Sequence, residues 1–158
     1  VKSAEGGEKR GFDGGKKVNG RKRHLIVDTL GFVVLAKVTA ANVQDVHGGK
    51  QTLQELLLRP DQTQRLQVIF ADGGYRGELV GWVKENLNAE LTIILKNELR
   101  NGFQVLPKRW IIERTNAWIS RNRRLARDYE RLVSSVESFI YAVMIRLGLR
   151  RLAKIRSY

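Results

Sequence analysis

A short β-rich run that ends in an aspartate and two glycines constrains the fold of this chain more than any other feature. The run covers residues 66–71, and Asp72-Gly73-Gly74 follows it directly. A helical pattern over residues 77–86 and a second β-rich run over residues 90–96 come next. This order predicts two strands paired in parallel through a crossover helix, with the Asp72 carboxylate at the end of a buried strand.

Additional β structure is predicted before this unit. β-rich runs over residues 23–28 and 32–39, separated by Thr29-Leu30-Gly31, predict a hairpin with a short turn that contains glycine. Residues 1–20 hold six glycines among charged side chains. That composition is typical of an open segment, so we expect a flexible arm there.

Two further helices, outside the crossover unit, are predicted from residues that favour the start of a helix. Asp45 is placed to cap a helix over residues 46–58, which Pro60 ends. Ser134-Ser135-Val136-Glu137 has the capping-box pattern and predicts a last helix over residues 135–152. Together with the strands, these helices indicate an α/β fold with a mixed sheet flanked by helices.

The composition suits one soluble domain. The chain has 158 residues, of which 42% are hydrophobic, and this size allows roughly 70% of the unfolded surface to be buried. Cysteine is absent, which excludes disulfides and thiolate metal sites. The longest wholly apolar run, residues 139–145, is far shorter than the roughly 20 residues that cross a bilayer. We therefore expect a cytoplasmic protein.

The net charge of +13 is concentrated near the two ends of the chain. Eight basic side chains stand against three acids over residues 1–23, and again over residues 108–131, while residues 146–158 carry five basic side chains and no acid. Residues 43–95 hold five basic and seven acidic side chains. Such clustering is typical of nucleic-acid binding, because each phosphate contact releases counterions. A solvated basic face is the alternative.

A second acidic residue, Glu113, lies in the basic and aromatic helical segment of residues 108–115. Its spacing from Arg109, Asn116 and Ser120 predicts that Glu113 faces away from the apolar stripe of this amphipathic helix. Two carboxylates, from Asp72 and Glu113, could hold a pair of divalent ions roughly 3.5–4 Å apart for phosphodiester chemistry. Carboxylate oxygens suit Mg²⁺ or Mn²⁺, and the sequence has no Cys/His cluster that indicates zinc. His24 and His47 are isolated in the sequence, and for each a surface or packing role is favoured over metal binding. The sequence therefore predicts a magnesium-dependent site.

Each of these residues also has a purely structural interpretation. Asp72 could cap the glycine turn that follows it. Glu113 could form an i to i+4 ion pair with Arg109 on an exposed helix. The spacing of Trp110 and Trp118 favours a buried helix face over base stacking.

Four segments, in order and with matching spacing, resemble bacterial insertion-sequence transposases of the DDE type, in the broad grouping of families four and five. They are residues 18–29 (VNGRKRHLIVDT), 40–45 (AANVQD), 71–77 (ADGGYRG) and 109–130 (RWIIERTNAWISRNRRLARDYE). The four segments span nearly the whole chain, which makes the set more specific than any single motif.

The resemblance implies an RNase H-like catalytic domain over residues 1–158. Asp72 then matches the second acid of the triad and Glu113 the third, both as Mg²⁺ or Mn²⁺ ligands. The first acid and its strand are expected ahead of Val1, so we expect an N-terminally truncated domain that binds DNA and does not cut it alone. The residues expected to contact DNA phosphates are Arg109, Arg114, Arg121, Arg123 and Arg124.

The resulting prediction is a transposase that cleaves and joins DNA strands at insertion-sequence ends, as a homo-oligomer when active. One alternative is a catalytically inactive DNA-binding fragment that regulates the full transposase. A second is a structural RNA-binding protein, for which the basic ends would suffice and Asp72 would be a turn cap. If the chain cleaves alone, Asp28 and Asp45 are the next candidates for the first acid.

Overall fold

Strands and helices are interleaved along the chain. The computed structural model describes residues 1–3, 6–95 and 108–155. The strands are β1 (Gly11–Asp13), β2 (Val18–Val27), β3 (Val33–Ala40), β4 (Val68–Asp72) and β5 (Glu90–Ile94). The helices are α1 (Asp45–Leu57), α2 (Pro60–Thr63), α3 (Glu78–Leu87), α4 (Arg109–Ser120), α5 (Arg123–Ala126) and α6 (Val133–Ile155), and a 3₁₀ turn covers Gly73–Tyr75. No helix in these ranges is long and apolar enough to cross a membrane.

The predicted hairpin is confirmed, and its first strand is longer than predicted. β2 and β3 pair in antiparallel orientation. At the turn, the Asp28 carboxylate accepts hydrogen bonds from the amides of Leu30 and Phe32. Gly31 has a φ of 83°, a conformation that favours glycine. β2 begins at Val18 because its first residues pair with β1.

The predicted crossover unit is also confirmed, since β4 and β5 pair in parallel and α3 lies between them in sequence. The predicted end of the second strand, Lys96, lies outside the described residues. The prediction of a buried β4 is wrong for one of its faces. Val68 and Phe70 are 40% and 47% exposed, because only Ile69 and Ala71 pack against the hydrophobic core.

The described strands form two sheets instead of one mixed sheet: β1, β2 and β3 in one, β4 and β5 in the other. β3 separates two hydrophobic cores, because successive strand residues point to opposite faces. Leu35 belongs to the first core with Leu53, Leu56, Leu79, Val83, Leu87, Ala89 and Leu91. Its neighbour Ala36 belongs to the second core with Val38, Ile119, Leu125, Val133, Val136, Ile140 and Met144. The hairpin is therefore covered by α1 on one face and by α6 on the other.

Both predicted helix caps are wrong, because the capping side chains have tertiary partners. Asp45 is the first residue of α1, and its carboxylate pairs with Lys22 Nζ at 3.0 Å. Glu137 accepts a hydrogen bond from the backbone amide of Val38 at 2.8 Å, which takes it away from its own helix terminus. α6 accordingly begins at Val133, two residues before the predicted start.

The region predicted to be a flexible arm contains β1 and is held by hydrogen bonds to Arg21. The Arg21 guanidinium is 1% exposed and pairs with the equally buried Asp128 at 3.0 Å. It also donates to the backbone carbonyls of Glu8, Glu130 and Arg131. A buried guanidinium without acceptors would be strongly destabilising, so these carbonyls fix the arm against the segment before α6.

The predicted helix after Pro107 is divided into α4 and α5. The buried face of α4 consists of Ile111, Thr115 and Ile119. Trp118 is partly buried against the second core, whereas Trp110 is 49% exposed. The prediction of a core position is therefore wrong for Trp110, because the buried stripe of α4 runs through smaller residues.

Candidate functional site

Asp72 lies at the carboxyl end of β4, where the strand passes into the 3₁₀ turn. Its side chain is exposed, and Oδ1 accepts a hydrogen bond from the Gly74 amide at 3.0 Å. The structural interpretation of Asp72 as a turn cap is therefore confirmed. The cap occupies Oδ1 only, so the carboxylate keeps further acceptor positions that face solvent.

A second carboxylate, that of Asp45, approaches the same turn. A Cβ atom placed on Gly74 would lie 3.1 Å from Asp45 Oδ2 and 3.2 Å from Asp72 Oδ1. The turn needs glycine there because both carboxylates come close to that point. Asp45 Oδ1 pairs with Lys22 Nζ, which also donates to the carbonyl of Val43 at 2.8 Å. Asp45 thus begins α1 beside the acidic turn.

Beneath the turn, Tyr75 contacts the buried imidazole of His24. Tyr75 Oη lies 3.2 Å from His24 Nδ1, and His24 Nε2 lies 3.0 Å from Thr39 Oγ1. Burial lowers the pKa of His24, which favours the neutral ring. Burial also raises the pKa of the Tyr75 hydroxyl, with smaller contributions from Asp45 and Asp72, so that hydroxyl stays protonated.

Glu113 lies on the exposed side of α4, as predicted, with 62% of its side chain exposed. Its Oε1 pairs with Arg109 Nε at 2.9 Å, which is the predicted i to i+4 pair. The opposite side of α4 is fixed to the hairpin turn. Thr115 Oγ1 donates to the Gly31 carbonyl at 2.7 Å, and Arg114 Nη2 donates to the Leu30 carbonyl at 2.9 Å.

The two predicted metal ligands lie on elements that touch each other, because α4 contacts β4. In the ranges 1–3, 6–95 and 108–155, no three His, Cys, Asp or Glu side chains form a group that could hold a metal ion. The predicted metal ligands therefore remain the two carboxylates of Asp72 and Glu113. Each of them has a local partner, the Gly74 amide and Arg109 respectively. Their joint action on one metal stays a prediction.

The five arginines predicted to contact DNA are in different environments. The Arg114 guanidinium lies between the Trp110 and Trp118 rings, 4.5 and 4.8 Å from their centroids. Arg124 pairs with Glu130 at 2.7 Å and stacks on Phe139. Arg109 pairs with Glu113, as described above. The remaining two, Arg121 and Arg123, are exposed and form no ion pair with any residue that the structure describes.

Sequence reasoning did not assign a site role to Tyr75, and it gave His24 only a packing role. The packing interpretation of His24 is confirmed, since the ring is 3% exposed and both nitrogens have partners. One sequence signal was available. Gly48 and Gly49 interrupt a predicted helix, and adjacent glycines within a helix indicate that another group approaches closely.

The fold and the site define a mixed α/β domain in which an acidic turn ends a parallel strand, and that strand contacts the helix that carries Glu113. The chain belongs to the transposase DDE domain family, whose family model matches residues 1–147. This assignment agrees with the resemblance to insertion-sequence transposases.

A curated relative is similar over much of the chain. It is a putative transposase for insertion sequence element IS402 from Burkholderia cepacia, 31% identical over 133 residues. The match covers 82% of this chain and 60% of the relative, so the chain spans about three fifths of that protein's length. No solved structure matches the chain.

Proposed function

We propose that this domain takes part in metal-dependent cleavage and transfer of DNA strands at insertion-sequence ends. The observation that carries the proposal is the position of Asp72 in a transposase DDE domain. Its exposed carboxylate lies at the carboxyl end of a parallel strand, the edge at which α/β sheets usually bind their ligands. The helix that carries Glu113 contacts that strand.

The available side chains fit a hard divalent cation in their chemistry. Mg²⁺ is commonly bound by one or two carboxylates, and water and substrate phosphates complete its shell. Asp72 and Glu113 would supply the carboxylates, and each has one oxygen outside the hydrogen bond or ion pair described above. When bound, a metal would lower the pKa of the attacking water and stabilise charge on the leaving oxygen.

Among the side chains proposed to bind DNA phosphates, Arg121 and Arg123 are the first candidates. Their guanidinium groups are exposed in the segment that follows α4, beside the helix of Glu113. Guanidinium groups bind phosphate in a bidentate manner, which would fix the backbone of the DNA near the acidic turn. Arg109, Arg114 and Arg124 are weaker candidates, because Glu113, the Leu30 carbonyl and Glu130 already engage them.

We also propose that the strands belong to an RNase H-like sheet with the first acid on a further strand. Val1 pairs with Arg21 on the edge of β2 that lies away from β3. Beyond Arg21, no described strand pairs with this edge. A strand along the open edge would extend the three-stranded sheet, and this place fits the first acid that the resemblance implies.

The test compares the 158-residue chain with a longer protein that includes the further strand. We expect the 158-residue chain to bind DNA without cutting it, and the longer protein to cleave insertion-sequence ends with Mg²⁺. In the longer protein, Asp72→Asn and Glu113→Gln should each abolish cleavage while DNA affinity stays within about twofold, because neither residue is proposed to bind phosphate. Glu85→Gln, an exposed acid on α3, is the matched control.

Cleavage by the Asp72→Asn variant at the wild-type rate would overturn the assignment. Binding without any Mg²⁺-dependent cleavage, even in the longer protein, would favour the regulatory DNA-binding alternative.

The salt dependence of DNA affinity tests which arginines bind phosphate. Arg121→Ala and Arg123→Ala should each reduce the slope of the logarithm of the binding constant against the logarithm of the salt concentration by about one, which corresponds to one phosphate contact. Arg65→Ala should leave that slope unchanged.

A further inference from the structure

The turn that follows Asp72 consists of a glycine pair and Tyr75 and has a few local hydrogen bonds. The Gly74 amide donates to the Asp72 carboxylate, and the backbone amide and guanidinium of Arg76 donate to the Gly73 carbonyl. Glycine has more accessible backbone conformations than any other residue, so two in succession leave the turn free to reorient. β4 holds the backbone of Asp72, but its carboxylate is held by the Gly74 amide, so an anchor for the turn also helps to fix the direction of that carboxylate.

Tyr75 provides such an anchor at the end of the turn. Its Oη lies 3.2 Å from His24 Nδ1, and His24 Nε2 lies 3.0 Å from Thr39 Oγ1. His24 and Thr39 belong to β2 and β3 and are 3% and 5% exposed. The three side chains thus form a hydrogen-bonded line from the middle of the hairpin to the residue that closes the acidic turn.

α1 is shaped to accommodate this line. A Cβ atom on Gly48 would overlap the His24 imidazole, and one on Gly49 would lie 2.7 Å from the Tyr75 ring. Each glycine in a helix interior costs roughly 0.5–1 kcal/mol relative to alanine. Helix formation therefore gives no reason for two successive glycines in α1. The close approach of the His24 and Tyr75 rings does.

We propose that His24 is a positioning residue for Asp72, which acts through Tyr75 and is held in place by Thr39 and the glycine pair of α1. The inference rests on the proposed function, because it assigns to this buried line the task of orienting a metal-binding carboxylate. His24 touches neither DNA nor metal in this scheme. It determines where the turn ends and therefore where Asp72 points.

Tyr75→Phe tests the link with a minimal change, since it removes Oη and keeps the ring. Tyr141→Phe is the matched control, because Tyr141 Oη accepts a hydrogen bond from the Ala36 amide at 3.0 Å, far from Asp72 in sequence. Both variants are made in the 158-residue chain. Two quantities are measured by NMR: amide exchange at Gly74, and the dissociation constant of MnCl₂ from the broadening of the Gly73 and Gly74 signals.

We expect Tyr75→Phe to speed Gly74 exchange about tenfold and to weaken Mn²⁺ binding several-fold. Tyr141→Phe should change neither, even where its melting temperature falls by a similar amount. Wild-type exchange at Gly74 in a folded Tyr75→Phe variant would overturn the proposal. If the wild-type chain shows no Mn²⁺ broadening at the turn, the metal role of Asp72 fails, while the exchange data still decide whether His24 positions the turn.

A second pair of variants tests His24 directly. His24→Asn can place an amide near the position of Nδ1, whereas His24→Leu offers an apolar side chain of comparable size. The proposal expects His24→Asn to restore much of the Gly74 protection that His24→Leu loses. Equal exchange in the two folded variants would show that packing, and not the hydrogen bond to Tyr75, holds the turn.

Discussion

The supports of Asp72 and Glu113 differ in kind. Asp72 ends β4 and is followed by a glycine turn whose far end is fixed by a buried hydrogen-bonded line through Tyr75 and His24. Glu113 lies on a regular helix whose buried side is fixed through Thr115, while its own side chain has one exposed partner, Arg109. In the first case the strand ends at the acid itself, and the turn beyond it has a tertiary anchor. In the second the backbone is rigid and the side chain is free to turn.

This contrast suggests how two carboxylates can serve one site. A carboxylate on a firmly held turn keeps its direction before any ligand arrives, whereas a carboxylate on a long exposed side chain can swing from its arginine to a new partner. Exchange of an exposed ion pair costs little, because such pairs contribute only about 0–1 kcal/mol. The predictions below test the two supports separately.

The largest loss of folding stability is expected where α1 packs against the His24 ring that supports the Asp72 turn. Gly48→Ala should lower the free energy of unfolding by about 2–3 kcal/mol, because the added methyl overlaps a buried ring with both nitrogens bonded. Gly81→Ala is the control: Gly81 lies in α3 with open space around it, so alanine should stabilise by about 0.5–1 kcal/mol. Urea denaturation measures both, and equal effects would show that His24 can move aside.

A somewhat smaller loss of folding stability is expected when the hydrogen bond that fixes α4 to the hairpin turn is removed. Thr115→Val keeps the shape of the side chain and removes the donor to the buried Gly31 carbonyl, which should cost about 1–2 kcal/mol. Thr52→Val is the matched control, because Thr52 Oγ1 donates to a carbonyl within its own helix, at Gly48. That carbonyl keeps its helical partner, so Thr52→Val should be nearly neutral. A neutral Thr115→Val would mean that α4 does not depend on the hairpin turn.

Lowering the pH should gradually reduce the folding stability that depends on a neutral, buried His24. The pKa of His24 is lowered in the folded state, chiefly by burial, with Asp45 opposing the shift and Lys22 adding to it. As the pH falls below the ordinary value of 6.5, the unfolded chain gains a proton that the folded chain does not, and stability decreases until the lowered pKa is passed. His24→Asn should remove this part of the slope between pH 8 and 5 in thermal melts. His47→Asn, at an exposed position, should keep it.

The smallest effect is expected for the Arg109–Glu113 pair. A double-mutant cycle with Arg109→Gln and Glu113→Gln should give a coupling of about 0.3–0.5 kcal/mol, the usual strength of an exposed i to i+4 pair. Chemical denaturation of the four proteins gives the coupling. A value above about 1 kcal/mol would contradict the comparison, since Glu113 would then be held as firmly as Asp72.

Local patterns predicted much of the fold and the near partners of both acids. The hairpin turn, the cap at Asp72 and the pairing of Glu113 with Arg109 each involve residues a few positions apart, and the crossover unit joins strands that are separated by one helix. Short-range sequence patterns carry that information directly. The predicted amphipathic stripe of α4 also left Glu113 on the exposed side, where the structure has it.

Long-range side-chain contacts explain several of the errors. Glu137 bonds to Val38, 99 positions away, and Tyr75 meets His24 across 51 positions. A capping-box pattern cannot show that a tertiary partner will take its glutamate. Nor can the composition of residues 1–20 show that Arg21 will donate a hydrogen bond to the carbonyl of Glu8 in that segment.

The buried Arg21–Asp128 pair also implies an order in which the parts of the domain fold during synthesis. The strands that flank Asp72 find each other across about twenty residues, as in the pairing of Val68 with Glu90, whereas Arg21 must wait for a carboxylate 107 positions later. Until the ribosome has released Asp128, Arg21 stays in water, because burial of an unpaired guanidinium is too costly. We expect stalled chains that end before Asp128 to keep the arm sensitive to protease while the β4–β5 unit is already protected. The acidic turn would then form before the two ends of the domain are joined.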